Sequence, residues 1–372
     1  MTSLASLSLR HARLVLPAAA LLAVIGGSAA AAAPVHAGPP QARAHSARAL
    51  NAFTWHPLTL ANGWQSASTA SLRTGTPAWG ARNGVIYLRG AVKQPTTGGA
   101  TFATLPASAR PVHNLYIQVY TNSDTPGTLY VGADGTMEAF NGSASTFTSL
   151  SAVSYPTAAV KAKNLTLKNG WVSSQPNYGT GNPAYAVSHG VVYLSGSMHG
   201  GTISAPAFVL PKAARPAHLM YVSVYTFDGS TGFLEIFPNG QVDVEGAEAA
   251  SYTSLASISF PVASTKWHSF TLEAGWKSGA VQFGTAKPSY AVINGIVYLN
   301  GSMHRAPGGT GLWTDLPAAT RSKDVLEIEV YTVNGTTGGV AITNSLGLVS
   351  SNPFTNAEAF TSLAAIAYPP NS

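Results

Sequence analysis

Residues 83–90 read Asn-Gly-Val-Ile-Tyr-Leu-Arg-Gly, and two close copies follow: His-Gly-Val-Val-Tyr-Leu-Ser-Gly at residues 189–196 and Asn-Gly-Ile-Val-Tyr-Leu-Asn-Gly at residues 294–301. In each copy a pair ending in glycine joins an aromatic-led segment to a Val/Ile-Tyr-Leu segment, as a two-residue β-hairpin turn requires. The copies recur about every 105 residues. Since solenoid repeats and propeller blades have periods of roughly 20 to 50 residues, each copy is expected to be a whole domain.

The same order of motifs surrounds each copy. Gly-Trp precedes it, Leu-Pro follows it, and Thr-Ser-Leu with an aromatic-Pro step closes the repeat. These motifs predict three modules, at residues 54–156, 163–261 and 267–369. The tryptophans of the Gly-Trp pairs are expected to fill the module cores. They are Trp64, Trp171 and Trp276.

Aliphatic residues alternate with polar or aromatic ones in the middle of every module. The matched stretches are Leu115–Tyr120, Met220–Tyr225 and Leu326–Tyr331. A period of two predicts a strand with one face in a core and the other face outside. No helical stripe is visible beyond the N-terminal segment. The predicted fold is therefore all-β, with three tandem antiparallel β-sandwich, jelly-roll-like modules of about 100 residues each.

The N-terminal segment carries a different kind of signal. Basic residues precede an apolar run at residues 14–24, and Val35-His36-Ala37 resembles an A-x-A cleavage site. This pattern predicts a secretory signal peptide at residues 1–37, followed by a flexible leader at residues 38–53.

A transmembrane anchor is the alternative for this segment, because residues 14–33 are about long enough to span a bilayer. Pro17 and the paired Gly26 and Gly27 favour cleavage. We therefore expect a secreted, extracellular protein, with or without attachment to the cell surface, and with no membrane span after cleavage.

Composition narrows the classes of partner and of stabilising bond. Charged residues make up 9% of the chain, hydrophobic residues make up 45%, and cysteine is absent. The surplus of basic residues is small and scattered, which argues against nucleic acid as a partner. Without disulfides, each module depends on its core and its strand ladders for stability.

The order of these motifs resembles the β-sandwich modules at the tips of phage tail fibres and receptor-binding proteins. The best segment is Thr-Leu-Pro-Ala-Ser-Ala-Arg-Pro at Thr104–Pro111, with an echo at Val209–Pro216, whereas the third copy has Ser322 in place of the second proline. The resemblance covers all three modules. It implies trimers that bind cell-surface glycans or other receptors, with no catalytic motif and no transferable binding residues. A phage structural protein needs no secretion signal, so we interpret the chain as a secreted protein of bacterial type that shares this module.

Two arrangements of the modules are open at this point. Three fused copies suggest an intramolecular pseudo-trimer, in which one chain imitates the homotrimer that the resemblance implies. The linkers, Thr157–Lys163 and Val262–Lys266, are short enough to keep neighbours packed. A staggered row of modules fits the same linkers.

Catalytic and metal chemistry has little support in the sequence. Acidic residues do not recur at matched positions, and Asp243 and Glu245 on one hairpin arm are expected to form a solvated face. His199 and His304 occupy matched positions, but a lone histidine in each of two modules does not make a metal site. We predict a protein that is not an enzyme, with no catalytic residues, no metal and no cofactor.

Matched aromatic residues are the candidates for ligand binding. Flat rings on a polar sheet face can stack on the C–H face of sugars. The first set is Tyr120, Tyr225 and Tyr331, and the second set is Trp79, Tyr185 and Tyr290. Packing between modules, or in the core of the opposite sheet, is the alternative role for both sets.

Two functions remain open from the sequence. The first is a non-enzymatic recognition or adhesion protein that binds cell-surface carbohydrate, or a protein receptor, through its modules. The second is a structural or protein-interaction component of the cell envelope or extracellular matrix, with no small ligand.

Overall fold

A computed structural model describes residues 53–350 and 354–370, with the backbone alone at Ser350. The signal-peptide prediction at residues 1–37 lies outside this part, as does the leader at residues 38–53 apart from Phe53. Among the described residues, none of the helices has the length and apolarity that a membrane crossing needs.

Each repeat is built from short antiparallel strands, as the fold-class prediction requires. The first repeat contains β1 (Trp55–Pro57), β2 (Gln65–Ser66), β3 (Ala78–Arg82), β4 (Val85–Arg89), β5 (Ala91–Lys93), β6 (Thr101–Thr104), β7 (Leu115–Thr121), β8 (Thr125–Val131), β9 (Thr136–Phe140), β10 (Thr148–Ser149) and β11 (Ser154–Pro156). Single turns of 3₁₀ helix lie at Ala107–Ala109 and Asn122–Asp124.

The second repeat adds one helical turn to the same order of strands. It contains β12 (Lys163–Asn164), β13 (Val172–Ser173), α1 (Gln175–Tyr178), β14 (Ala184–Ser188), β15 (Val191–Ser195), β16 (Ser197–His199), β17 (Pro206–Val209), β18 (Met220–Tyr225), β19 (Thr231–Ile236), β20 (Gln241–Glu245), β21 (Thr253–Ser254) and β22 (Ser259–Pro261). Its 3₁₀ turns are Lys212–Ala214 and Phe227–Gly229.

The third repeat follows the second, with one further helix before its last two strands. It contains β23 (His268–Ser269), β24 (Lys277–Ser278), α2 (Ala280–Phe283), β25 (Ser289–Ile293), β26 (Ile296–Asn300), β27 (Ser302–His304), β28 (Leu312–Asp315), β29 (Leu326–Tyr331), β30 (Thr337–Ile342), β31 (Leu346–Ser350), α3 (Phe354–Ala359), β32 (Thr361–Ser362) and β33 (Ala367–Tyr368). Its 3₁₀ turns are Ala318–Thr320 and Val333–Gly335.

One sheet in each repeat carries the hairpin that the sequence predicted. Its strand order in the first repeat is β1-β3-β4-β11, and the equivalent strands pair in the same order in the other two repeats. Asn83 and Gly84 join β3 to β4 with φ values of 51° and 77°. Both values lie in the left-handed region that a primed two-residue turn requires, so this hairpin prediction is confirmed.

The remaining strands of each repeat form the facing layer. In the first repeat they make one seven-stranded sheet, because Thr148 of β10 pairs with Thr121 of β7. In the second and third repeats the same contact is an isolated bridge, and the layer divides into a three-stranded and a four-stranded sheet. The predicted core tryptophans are each buried in the hydrophobic core of their own repeat, which confirms that assignment. They are Trp64, Trp171 and Trp276.

Strand β4 is buried on both faces. Ile86 and Leu88 point into the core of the first repeat, whereas Val85 and Tyr87 join a cluster shared by all three repeats. We call this the central cluster. Its buried members are Val85, Tyr87, Val191, Tyr193, Ile296, Tyr298 and Ala367. The hydroxyl groups of the three tyrosines are hydrogen-bonded to one another, and burial raises the pKa of each.

Each repeat contacts the next with the same elements, and the third repeat contacts the first. We call these contacts the 1–2, 2–3 and 3–1 interfaces. The backbone N–H of Asn114 donates to Gly179 O at 3.0 Å, Leu219 bridges to Thr285, and the N–H of Val325 donates to Arg73 O at 2.8 Å. Strands β7, β18 and β29 all touch one another. The face of these strands that the sequence pattern placed outside therefore lies against neighbouring repeats.

Loops before the last strand of each repeat add a second series of contacts. Ala256 of the second repeat packs on the core of the first, and Ala364 of the third repeat packs on the core of the second. Ala152 of the first repeat packs on the core of the third. All three repeats belong to one compact unit.

Candidate functional site

One position distinguishes the three interfaces. The position lies nine residues before the core tryptophan of each repeat. It is occupied by Trp55 in the first repeat, Ala162 in the second and Trp267 in the third. Trp55 and Trp267 pack against the central cluster from the 3–1 and 2–3 interfaces. Ala162 has only a methyl group at this position, and a cleft of about 520 Å³ opens beside it at the 1–2 interface. We call this space the 1–2 cleft.

The 1–2 cleft has an apolar floor and a polar rim. Its buried lining includes Leu115, Tyr155 and Leu194. Exposed polar side chains surround the opening, and they come from both repeats and from the linker between them. These are His113, Lys161, Asn164, Gln175 and Asn182. A space of this volume and lining is typical of a small-molecule site.

Hydrogen bonds across the interface and within the first repeat fix the walls of the cleft. The side-chain Nδ2 of Asn114 donates to Tyr178 O at 3.0 Å, beside the backbone bond to Gly179 O. Tyr155 Oη donates to Ala109 O at 2.8 Å, which holds the ring of the floor in place. The site is therefore built on strands and anchored turns, which limits the ordering cost of binding.

The imidazole of His113 lies against Gly181 of the next repeat. A Cβ atom at Gly181 would come within 2.4 Å of His113 Cδ2, and Gly181 has a φ of +74°. Glycine is therefore required at this wall both by its backbone conformation and by the close approach of the ring.

The equivalent space at the 2–3 interface is divided by Trp267. One pocket of about 10 Å³ lies between Trp267 and Met220, and a second of about 450 Å³ lies between Trp267 and α2. The second pocket is shallow, and its lining includes Val281, which is fully exposed.

At the 3–1 interface, charged side chains cover Trp55. The guanidinium carbon of Arg89 lies 4.6 Å from the Trp55 ring centroid, and Arg89 Nη1 lies 3.9 Å from Asp324 Oδ2. Asp324 occupies the position that His113 has at the 1–2 interface. The three interfaces thus share a frame and differ in the side chain at this one position.

The first predicted binding set lies at the interfaces. Tyr225 stacks on Tyr116 at 5.6 Å between ring centroids, and Tyr331 stacks on Tyr221 at 5.4 Å. The two members of the predicted set are buried in these stacks, with 9% of the Tyr225 surface and 7% of the Tyr331 surface exposed. Burial raises their pKa values.

Tyr120, the remaining member of the first set, lies near an acid of the third repeat. Its hydroxyl is hydrogen-bonded to Asp124, and Glu327 occupies the place of Tyr116 and Tyr221. Burial, followed by the charges of Asp124 and Glu327, raises the pKa of Tyr120. Tyr120 also packs edge-to-face on Phe147 of its own repeat, at 6.1 Å between ring centroids. Ligand binding by these three tyrosines stays a prediction.

The second predicted set keeps more exposed surface. Trp79, Tyr185 and Tyr290 are half-buried, and each packs against the edge of its own core. Trp79 stacks on His56 at 4.5 Å between ring centroids, and Tyr290 stacks on His268 at 5.3 Å.

Tyr185 has Lys163 opposite it in the strand register, where Trp79 and Tyr290 have histidine. The three members of this set lie on separate sheets, and the structure does not bring them together. Their ligand role also stays a prediction.

Two polar groups noted in the sequence have local partners. His199 Nδ1 lies 3.0 Å from Ser174 Oγ. Asp243, expected on a solvated face, is 8% exposed and accepts hydrogen bonds from Gln241 Nε2 at 3.0 Å to both carboxylate oxygens. That expectation was wrong for Asp243, whose carboxylate is buried against the Gln241 side chain. Within residues 53–350 and 354–370, no group of three or more His, Cys, Asp or Glu side chains is arranged to hold a metal ion.

Sequence reasoning missed the 1–2 cleft. The signal was present in the linkers, where Trp55-His56, Ala162-Lys163 and Trp267-His268 align. An alanine at a position where the other two repeats have tryptophan indicates that a large side chain is absent there. The pattern does not show which residues would line the space that is left. That information comes from the packing of the central cluster.

No protein-family model, curated protein or solved structure matches this chain.

Proposed function

We propose that this protein is a secreted, non-enzymatic recognition protein, and that the 1–2 cleft is its binding site for cell-surface carbohydrate. The observation that carries the proposal is the cleft of about 520 Å³ beside Ala162, where the other two interfaces have tryptophan. An apolar floor with a few convergent polar groups is the usual form of a small-ligand site.

The chemistry of the rim supports carbohydrate as the ligand class. Asn164, Gln175 and Asn182 present amide groups, which both donate and accept hydrogen bonds as sugar hydroxyls do. The floor offers apolar surface for the C–H face of a sugar ring. His113 and Lys161 add donors that suit an acidic sugar or a modified residue at the end of a chain.

The contacts between repeats support a rigid recognition head. The repeats touch in the order 1–2, 2–3 and 3–1 through equivalent groups, and repeated one-way contacts that close on themselves are typical of a cyclic assembly. We propose that this arrangement is an intramolecular pseudo-trimer. The resemblance to tail-fibre tip modules, which act as trimers and bind surface receptors, supports the same interpretation.

A glycan-array and polysaccharide-binding experiment tests the proposal. Ala162→Trp restores the side chain found at the other two interfaces and fills the cleft, so we expect binding to fall at least tenfold. Ala81→Trp adds the same side chain at an exposed position of β3 outside the cleft lining and is expected to leave binding unchanged.

Two results would overturn the proposal. One is equal binding by wild type and A162W, which would move the site away from the cleft. The other is binding of the wild type to itself or to another protein with no carbohydrate captured, which would favour the structural or protein-interaction role.

A further inference from the structure

Another cavity lies where β7, β18 and β29 meet. Its volume is about 80 Å³, and it is lined by equivalent residues from all three repeats. The polar residues at the matched central positions are Gln118, Ser223 and Glu329. A volume of this size holds several water molecules, since each needs roughly 10 to 15 Å³.

Three oxygen atoms around this cavity lack a hydrogen-bond partner among the described residues. They are Gln118 Oε1, Ser223 Oγ and Glu329 Oε2, and each is inaccessible to external solvent. The amide nitrogen of Gln118 and the second carboxylate oxygen of Glu329 do have partners. Gln118 Nε2 donates to Thr231 Oγ1 at 3.2 Å and to Glu329 Oε1 at 3.4 Å. Buried polar atoms without protein partners are usually satisfied by water or by an ion.

The Glu329 carboxylate is hydrogen-bonded to Thr337 and Gln118, and the charged group that acts on it is an acid. Asp124 is the charged group that acts on it from the first repeat, and Glu327 lies on its own strand. Both are acidic. A buried carboxylate beside other acids takes up either a proton or a cation.

We propose that the central cavity binds one monovalent cation through Glu329, Gln118 and Ser223. One carboxylate balances one positive charge, and the remaining donors are neutral oxygens, which suit hard cations such as Na⁺ or K⁺. The three donors come from the three repeats, so a bound cation links all of them at the point where β7, β18 and β29 meet. The ion and a proton compete for the carboxylate, and binding is therefore stronger at higher pH.

Thermal unfolding in different salts tests this site. At pH 8.5 and constant ionic strength, we expect NaCl or KCl to raise Tm by about 2 to 5 °C over tetramethylammonium chloride, in a saturable way. The shift is expected to vanish in Glu329→Gln and to shrink in Ser223→Ala. Asp315→Asn, which removes an exposed carboxylate of the same repeat, is expected to keep the full shift.

The wild-type comparison alone is decisive if E329Q does not fold. Equal Tm values in all three chloride salts at pH 8.5 would overturn the proposal. So would a salt-specific shift that persists in E329Q, because it would show that the ion binds elsewhere.

Discussion

The 1–2 and 2–3 interfaces are built from the same parts and differ in what they leave open. Tyr225 stacks on Tyr116 in one and Tyr331 stacks on Tyr221 in the other, at nearly equal distances. At the entrance, Ala162 leaves an undivided cleft, whereas Trp267 divides the space. The comparison teaches that residues holding the repeats together are separate from the residue that decides whether a ligand-sized space exists.

The 3–1 interface departs from both in its polar chemistry. Glu327 stands where the other two interfaces have Tyr116 and Tyr221. The backbone contact at this position is shared, because Ser149 Oγ donates to Glu327 O at 2.6 Å and Ser362 Oγ donates to Tyr221 O at 2.7 Å. Stacking at two interfaces is therefore replaced at the third by a buried acid near Asp124. This difference predicts that the 3–1 interface responds to pH through a buried acid at the position where the other two interfaces have a tyrosine.

The largest expected effect is a loss of stability with rising pH at the 3–1 interface. The pKa values of Glu327 and Glu329, about 7 and about 8, lie above those of unfolded glutamate, so the folded state holds extra protons. Their stabilising contribution is complete below about pH 4.5 and is lost as pH rises towards 8. We expect the free energy of unfolding to fall by about 6 kcal/mol between pH 5 and 9 in tetramethylammonium chloride.

Denaturant unfolding across this pH range measures the effect. The double variant Glu327→Gln, Glu329→Gln is expected to lose most of the slope, because amides do not titrate. A wild-type free energy of unfolding that is flat or rises from pH 5 to 9 would contradict the assignment of buried acids to this interface.

The next effect tests whether the first two interfaces are equivalent. Tyr225→Ala and Tyr331→Ala each remove a buried ring that stacks on a neighbouring repeat, and we expect each to lower the free energy of unfolding by about 3 kcal/mol. The two values are expected to agree within about 1 kcal/mol, since the stacking partners are matched. Urea unfolding of both variants measures this, and a loss below 1 kcal/mol in either would show that its stack does not hold the repeats together.

The smallest effect concerns the half-buried ring at the edge of the second core. Tyr185→Ala removes a partly exposed side chain opposite Lys163, so we expect a loss of about 1 kcal/mol and unchanged carbohydrate binding. Thermal unfolding and the polysaccharide pull-down check both parts. Loss of binding with intact folding would transfer the binding site to the second aromatic set.

The sequence predicted the frame of the molecule well because strands, turns and cores have local signatures. The Asn83-Gly84 turn and the aliphatic face of β7 follow from neighbouring residues alone. What the other face of β7 contacts depends on residues about 105 and 210 positions away in the chain. Tyr120 and Gln118 are polar-face residues in the sequence and interface residues in the structure, and no local pattern distinguishes these roles.

The 1–2 cleft could not be predicted for a related reason. Ala162 is an ordinary linker residue until the positions of Trp55 and Trp267 against the central cluster are known. A missing side chain has meaning only relative to the packing around it. The same holds for Glu329, whose unpartnered oxygen becomes visible only when three strands from three repeats meet.

Isothermal titration of a cell-wall polysaccharide fragment into wild type, Ala162→Trp and Trp267→Ala tests the central claim most directly. The wild type is expected to bind at one site and A162W at none. W267A, which removes the ring that divides the 2–3 space, is expected to bind at two sites and to lose about 2 kcal/mol of stability. Equal stoichiometry in all three folded proteins would contradict the claim that this one position decides where a ligand binds.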